Sequence, residues 1–228
     1  MLGTIVNAVA IIVGAIVGVF LKKGIPEGYK ATIINGLGLS VLVIGLSGAL
    51  GSQDILLMIA SVVIGTILGE ALKIEKGLEN IGYWIENKAG SKEGGIAKGF
   101  ITASLVFCIG AMAVMGALES GLTGNHETLF AKALIDGIMA AMFASTLGIG
   151  VAFSGAAVFV YQGLITLTAS FMKPFLIESV ITEMSAIGGL LIMGIGINVL
   201  EIKKIRVGNM LPAVFIPILY YILRLYIL

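Results

Sequence analysis

The 228 residues are 58% hydrophobic and only 12% charged, with a mean hydropathy of +1.10, whereas a soluble domain carries roughly 25% charged residues. No soluble core of this length could hide so much apolar side chain, so the composition points to a polytopic membrane protein. A formal net charge of +1 offers no basic excess for phosphate contacts, which sets nucleic acid aside as a partner.

The expected fold is all-α, a single transmembrane domain over residues 1–228. Runs of about 17–25 apolar residues match a hydrocarbon layer of about 30 Å. In chain order they are Gly3–Leu21, Ala31–Leu50, Ile55–Leu72, Ala97–Leu118, Leu129–Leu147, Ala156–Met172, Met184–Leu200 and Leu211–Leu228. The first run lacks the basic flank of a signal peptide, so it is expected to stay as a helix. The 32 glycines are roughly twice the ordinary share, which favours close helix packing in lipid.

Between the third and fourth runs, Ile74, Leu78, Ile81 and Ile85 recur at helical spacing beside Tyr83 and Trp84. Residues 73–98 therefore read as a connection carrying an interfacial amphipathic helix, either on the membrane surface or packed as a lid, with a glycine-rich hinge at Gly90–Gly95. Between the fifth and sixth runs, Gly148, Gly150 and Gly155 lie in an apolar stretch that is either a turn or a glycine-rich helix break within the membrane, able to serve as a hinge. Residues 174–183 are either an outer half-helix or the start of the seventh span.

Lysine and arginine decide the parity. Lys22, Lys23 and Lys30 follow the first span, Lys73, Lys76, Lys88, Lys92 and Lys98 surround the third connection, and Lys203, Lys204 and Arg206 follow the seventh. The positive-inside rule puts these three connections in the cytoplasm and both termini outside. That parity needs two crossings between Leu129 and Met172, giving eight spans, with seven the alternative.

Gly14-x-x-x-Gly18, Gly65-x-x-x-Gly69 and Gly194-x-x-x-Asn198 recur in spans of the same direction, each followed by lysine. Small residues one turn apart let helix backbones meet. These faces also suit a homo-oligomer.

Asp136 lies inside the fifth apolar run, one turn after Lys132. A carboxylate at membrane depth is costly and usually marks a solute path, a proton site or a structural ion pair. From a rise of about 1.5 Å per residue it lies roughly 10 Å from the outer boundary. Lys132 is nearer the surface, and its long stem allows the ammonium to escape to the headgroups. Asn7, Ser61 and Thr166 are candidate partners in the same half of the membrane, and Tyr161 and Gln162 are candidate polar lining nearer the middle.

No catalytic or metal constellation emerges. His126-Glu127 opens like a zinc-protease helix but lacks the second histidine, no phosphate loop or nucleophile elbow is present, and no histidine is expected to be available to activate a serine. Cys108 is the single cysteine and reads as a core residue, so neither a disulfide nor a cofactor is expected. His126 itself reads as a solvated loop residue, and Glu70 as an interfacial group.

Phe107-Cys108-Ile109-Gly110-Ala111-Met112, Asp136-Gly137, Phe143–Val151, Tyr161-Gln162-Gly163, Glu183–Ile192 and Ile202–Asn209 together resemble the YqgA-like and YdfK-like integral membrane proteins of bacteria, a family of unknown function. The resemblance spans nearly the whole chain. It implies a bacterial inner-membrane location and a transport role, and it brings no catalytic residue or substrate. Ala111 stands where the resemblance leads one to expect proline, which implies a weaker kink there.

The expected function is a transporter or channel for a small ion or polar solute, not an enzyme, embedded in the lipid bilayer. Asp136 is its charge or proton site, modulated by Lys132. The alternative is a non-transporting scaffold or sensor in which Lys132 and Asp136 are a structural pair. An intramembrane enzyme would require a bound metal.

Overall fold

The computed structural model describes residues 1–22, 27–88, 95–108, 111–172 and 176–227. Among them the secondary structure is helical: α1 (Leu2–Lys22), α2 (Glu27–Ala49), α3 (Ile55–Leu72), α4 (Ile74–Lys88), α5 (Ile96–Cys108), α6 (Ala111–Leu122), α7 (Glu127–Leu147), α8 (Gly150–Met172), α9 (Glu178–Val199), α10 (Val207–Met210), a 3-10 segment (Leu211–Phe215) and α11 (Ile216–Ile227). Residues 178–183 thus begin the seventh long helix. Most of the hinge expected at Gly90–Gly95, together with Lys23, Lys92, Pro174 and Leu228, lies outside the described residues.

Seven stretches are long and apolar enough to cross a membrane, and α5 with α6 from Met112 forms an eighth that is bent by 62°. The run Ala97–Leu118 is therefore two helices bent against each other, a broken span or a re-entrant loop, rather than one straight helix.

The residues gather into two compact units. One holds α1, α5, α6 from Met112, α7, most of α8, the beginning of α2 and α4 from Leu78. The other holds the rest of α2, α3, the first turn of α4, α9, α10, the 3-10 segment and α11. The boundaries of the units fall inside α2, α4, α6 and α8.

In the first unit, α1 runs parallel to α7. A methyl on Gly14 would overlap the Gly137 carbonyl, and one on Gly18 the Ala141 carbonyl. In the second unit, α2 is antiparallel to α9, with Gly45 and Gly48 both packed on Gly189 and Leu42 on Gly196, while α3 is antiparallel to the α10 region, with Gly65 on Ala213 and Gly69 on Asn209. Backbones approach closely because these positions lack a Cβ, which is how helices associate where lipid supplies no hydrophobic drive. The third motif works differently: Asn198 accepts from the Ile205 N–H at 2.7 Å and donates to its carbonyl at 2.8 Å, closing the loop between α9 and α10.

These directions bear on the number of crossings. With seven spans, α1 and α7 would be antiparallel, and α2 and α9 parallel. Both relations are reversed, the parity expected if the bent α5–α6 pair is one crossing; the described residues hold seven helices able to span, or up to eight if that pair is one span.

The glycine-rich stretch after α7 is a two-residue turn. Gly148 has φ +80° and donates its N–H to the Ala144 carbonyl, capping α7, a left-handed conformation that glycine adopts without a Cβ penalty. Gly150 and Gly155 lie within α8 and pack on Ile96 and on Ala8 with Ile12. The stretch therefore separates two whole helices, and the hinge reading of Gly148, Gly150 and Gly155 within one span gives way to a hairpin. Near the other end of the chain, Pro217 has no N–H to bond the carbonyl four residues back, and the backbone runs as a 3-10 turn just before it.

Candidate functional site

The site lies in the first unit, where α1, α7 and α8 meet. Asp136 is 3% exposed and Lys132 7%. Their i,i+4 spacing brings the Lys132 ammonium to both carboxylate oxygens, at 2.9 and 2.7 Å. The expected escape of Lys132 to the headgroups does not occur. Its chain is enclosed by the bundle, where a buried cation is tolerated only beside an opposite charge.

Asn7, on α1, faces this pair. Its Nδ2 donates to Asp136 Oδ2 at 3.1 Å and to Gln162 Oε1 of α8 at 3.3 Å. Asn7 and Gln162 are both fully buried. One turn further along, Thr4 and Thr166 bring their hydroxyls to 3.4 Å. Because α8 is antiparallel to α1, the step from Asn7 back to Thr4 matches the step from Gln162 on to Thr166. The result is a polar column with Asp136 and Lys132 at its inner rung and two threonines at the next.

Among the sequence candidates, Asp136, Lys132, Asn7, Gln162 and Thr166 therefore come together. Ser61 does not: it lies on α3 in the second unit, fully buried with its hydroxyl unpartnered. Tyr161 neighbours Gln162 in the chain but is only half-buried on α8. It has no hydrogen bond to the column among the described residues.

Near the column, His126 sits at the start of α7, where its Nδ1 is 2.9 Å from Ser120 Oγ and its ring meets Phe130 edge-on. The chain's one histidine is thus partnered with a serine, contrary to the solvated reading. Among the described residues no carboxylate bonds its second ring nitrogen, whereas an activated nucleophile needs its base oriented by a third group. Glu119 accepts from the Asn125 amide and the Thr128 hydroxyl, each at 2.7 Å, and so ties the α6–α7 connection to the first turn of α7.

A second buried carboxylate went unnoticed in the sequence. Glu183 on α9, in the second unit, is 2% exposed. It accepts from the Ser52 hydroxyl at 2.8 Å and from the Gln53 and Asp54 backbone N–H groups at 2.7 and 3.1 Å. These donors lead into α3, whose N-terminus favours negative charge. At the other end of α3, Glu70 meets Arg206 at 3.1 Å, with both side chains well exposed, a surface pair of little energetic weight. Glu75, in the first turn of α4, accepts from the Gly208 N–H, and its own N–H donates to Asn209 Oδ1, both at 2.7 Å. These two bonds anchor the amphipathic helix, while Ile81, Tyr83 and Trp84 beyond them are exposed.

The class of molecule follows from these elements: a polytopic helical membrane protein with a buried ion pair joined to a polar column across three helices. A family model described as "Protein of unknown function (DUF554)" matches residues 2–222, and the chain belongs to that family. It is 34% identical over 221 residues to the uncharacterized membrane protein YdfK of Bacillus subtilis (strain 168), covering 95% of this chain and 94% of that one. It is also 28% identical over 221 residues to the uncharacterized protein YqgA of Escherichia coli (strain K12), covering 94% of each. No solved structure matches the chain.

Proposed function

We propose that this chain is a small secondary transporter or channel for an ion or polar solute, with Asp136 as its charge or proton site and Lys132 as the partner that holds it. The supporting observation is the three-helix link from Asp136 through Asn7 to Gln162. A pair serving only to neutralise itself within α7 has no need of two further buried amides from α1 and α8. Intramembrane charges commonly mark solute paths and proton relays.

In this reading the protein lies in a bacterial inner membrane. Its basic connections face the cytoplasm, both termini lie outside, and the buried threonine rung lies on the outer side of Asp136. The Gly14/Gly18 and Gly65/Gly69 faces that suggested a homo-oligomer are packed within the chain. The test is Asp136→Asn combined with Lys132→Met in proteoliposomes, which leaves no buried charge unpaired: coupled flux is expected to vanish while folding is retained, and unchanged flux would remove Asp136 from the mechanism.

One observation favours a second reading. The ion pair is enclosed on all sides, with side chains 9% and 5% exposed, as a structural pair would be. The chain would then be a scaffold or sensor whose α4 presents Ile81, Tyr83 and Trp84 to lipid or a partner. Absence of flux for every solute, with Lys132 and Asp136 needed only for stability, is the outcome that selects it.

A further inference from the structure

Two atoms of the column are left over. Asn7 Oδ1 and Gln162 Nε2 are buried side-chain atoms with no hydrogen-bond partner among the described residues. Leaving a buried polar group unsatisfied costs about 1–3 kcal/mol, so two in adjoining side chains call for an explanation. The amide orientations follow from their neighbours. Asn7 must turn its NH2 to the Asp136 carboxylate, and the same NH2 donates to Gln162 Oε1. Reversing Gln162 would set donor against donor, so its free end is the NH2. What remains is one acceptor and one donor, on neighbouring amides joined by a 3.3 Å hydrogen bond.

The charge beside them is already balanced, because the Lys132 ammonium engages both oxygens of Asp136. An anion placed here would meet Asn7 Oδ1 and the carboxylate. A cation would meet the Gln162 NH2 and the ammonium. We infer that this site takes a small neutral solute carrying one hydrogen-bond donor and one acceptor, of the amide or urea class, whose N–H donates to Asn7 Oδ1 and whose carbonyl accepts from Gln162 Nε2. The inference rests on the transport reading of the same site and fixes its substrate class.

The test is uptake of labelled urea and acetamide, against acetate and methylammonium, by proteoliposomes holding the full chain, with osmotic water permeability measured in parallel. Urea or acetamide is expected to enter about tenfold faster than in protein-free vesicles, the charged compounds no faster, and Gln162→Met to lose the gain; one lost hydrogen bond to a buried group is worth about that factor. If acetate or methylammonium moves and the neutral amides do not, the inference is overturned while transport stands. Raised water permeability without amide uptake also overturns it, since the free valences then hold water only. If none of the four compounds moves, the inference is overturned, and the transport reading falls with it only when flux is absent for every other ion and solute as well. The wild-type comparison decides between these outcomes even if Gln162→Met fails to fold, and Gln162→Glu, which replaces the donor at nearly the same volume, then tests the residue.

Discussion

Lys132 reaches both carboxylate oxygens of Asp136 from one helical turn away, and neither side chain is more than a tenth exposed. Breaking such a pair from one side leaves a buried charge without compensation, at a cost of about 3–5 kcal/mol. Lys132→Met is therefore expected to destabilise the protein strongly. The double variant Lys132→Met with Asp136→Leu should recover most of that loss. Unfolding in detergent, arranged as a double-mutant cycle, measures both, and equal losses in the single and double variants would contradict the pairing.

The contact of α1 with α7 predicts a size limit at Gly14. Gly14→Ala puts a methyl into the Gly137 carbonyl, and either the helices separate or the chain fails to assemble. At Gly77 in α4 a methyl meets nothing. There, replacement by alanine is expected to stabilise by about 0.5–1 kcal/mol, through the ordinary helix preference. Melting temperatures of the two variants should move in opposite directions.

Glu183 holds the entry to α3 with three hydrogen bonds. Bonds to a charged group contribute about 1.5–3 kcal/mol each, so Glu183→Leu is expected to loosen the 52–54 segment. Hydrogen exchange at the Gln53 and Asp54 amides reads this directly. Protection unchanged from wild type would show that the carboxylate does not order the turn.

Asn209 predicts a local effect on the amphipathic helix. Asn209→Ala removes the acceptor of the Glu75 N–H, worth about 1 kcal/mol. Exchange of the Glu75 amide should accelerate several-fold, while the α7 amides stay as they are.

Much of the site is legible in the sequence because cost marks it. Asp136 stands out in an apolar run, and the i,i+4 offset names Lys132. Asn7, Gln162 and Thr166 are rare polar residues at compatible depth. Depth alone does not give azimuth, so Ser61, at a similar level, falls in the other unit. Glu183 is hidden for the opposite reason: next to the end of its apolar run and five residues from Glu178, it reads as an interfacial charge. Only the fold brings the Ser52–Asp54 backbone around it. The span count likewise needed packing directions, because no composition rule distinguishes a bent crossing from a re-entrant loop. The sequence-based freedom given to Lys132 failed since snorkelling depends on what surrounds the stem, not on its length.

Both charges of the buried pair ride on α7, while Asn7 and Gln162, contributed by α1 and α8, are neutral. Any sliding of α1 or α8 past α7 would carry no formal charge through the bilayer at this depth. A membrane potential, which acts at about 2.3 kcal/mol per elementary charge per 100 mV, would find nothing there to pull. Opening of the column by such a movement would be electrically silent.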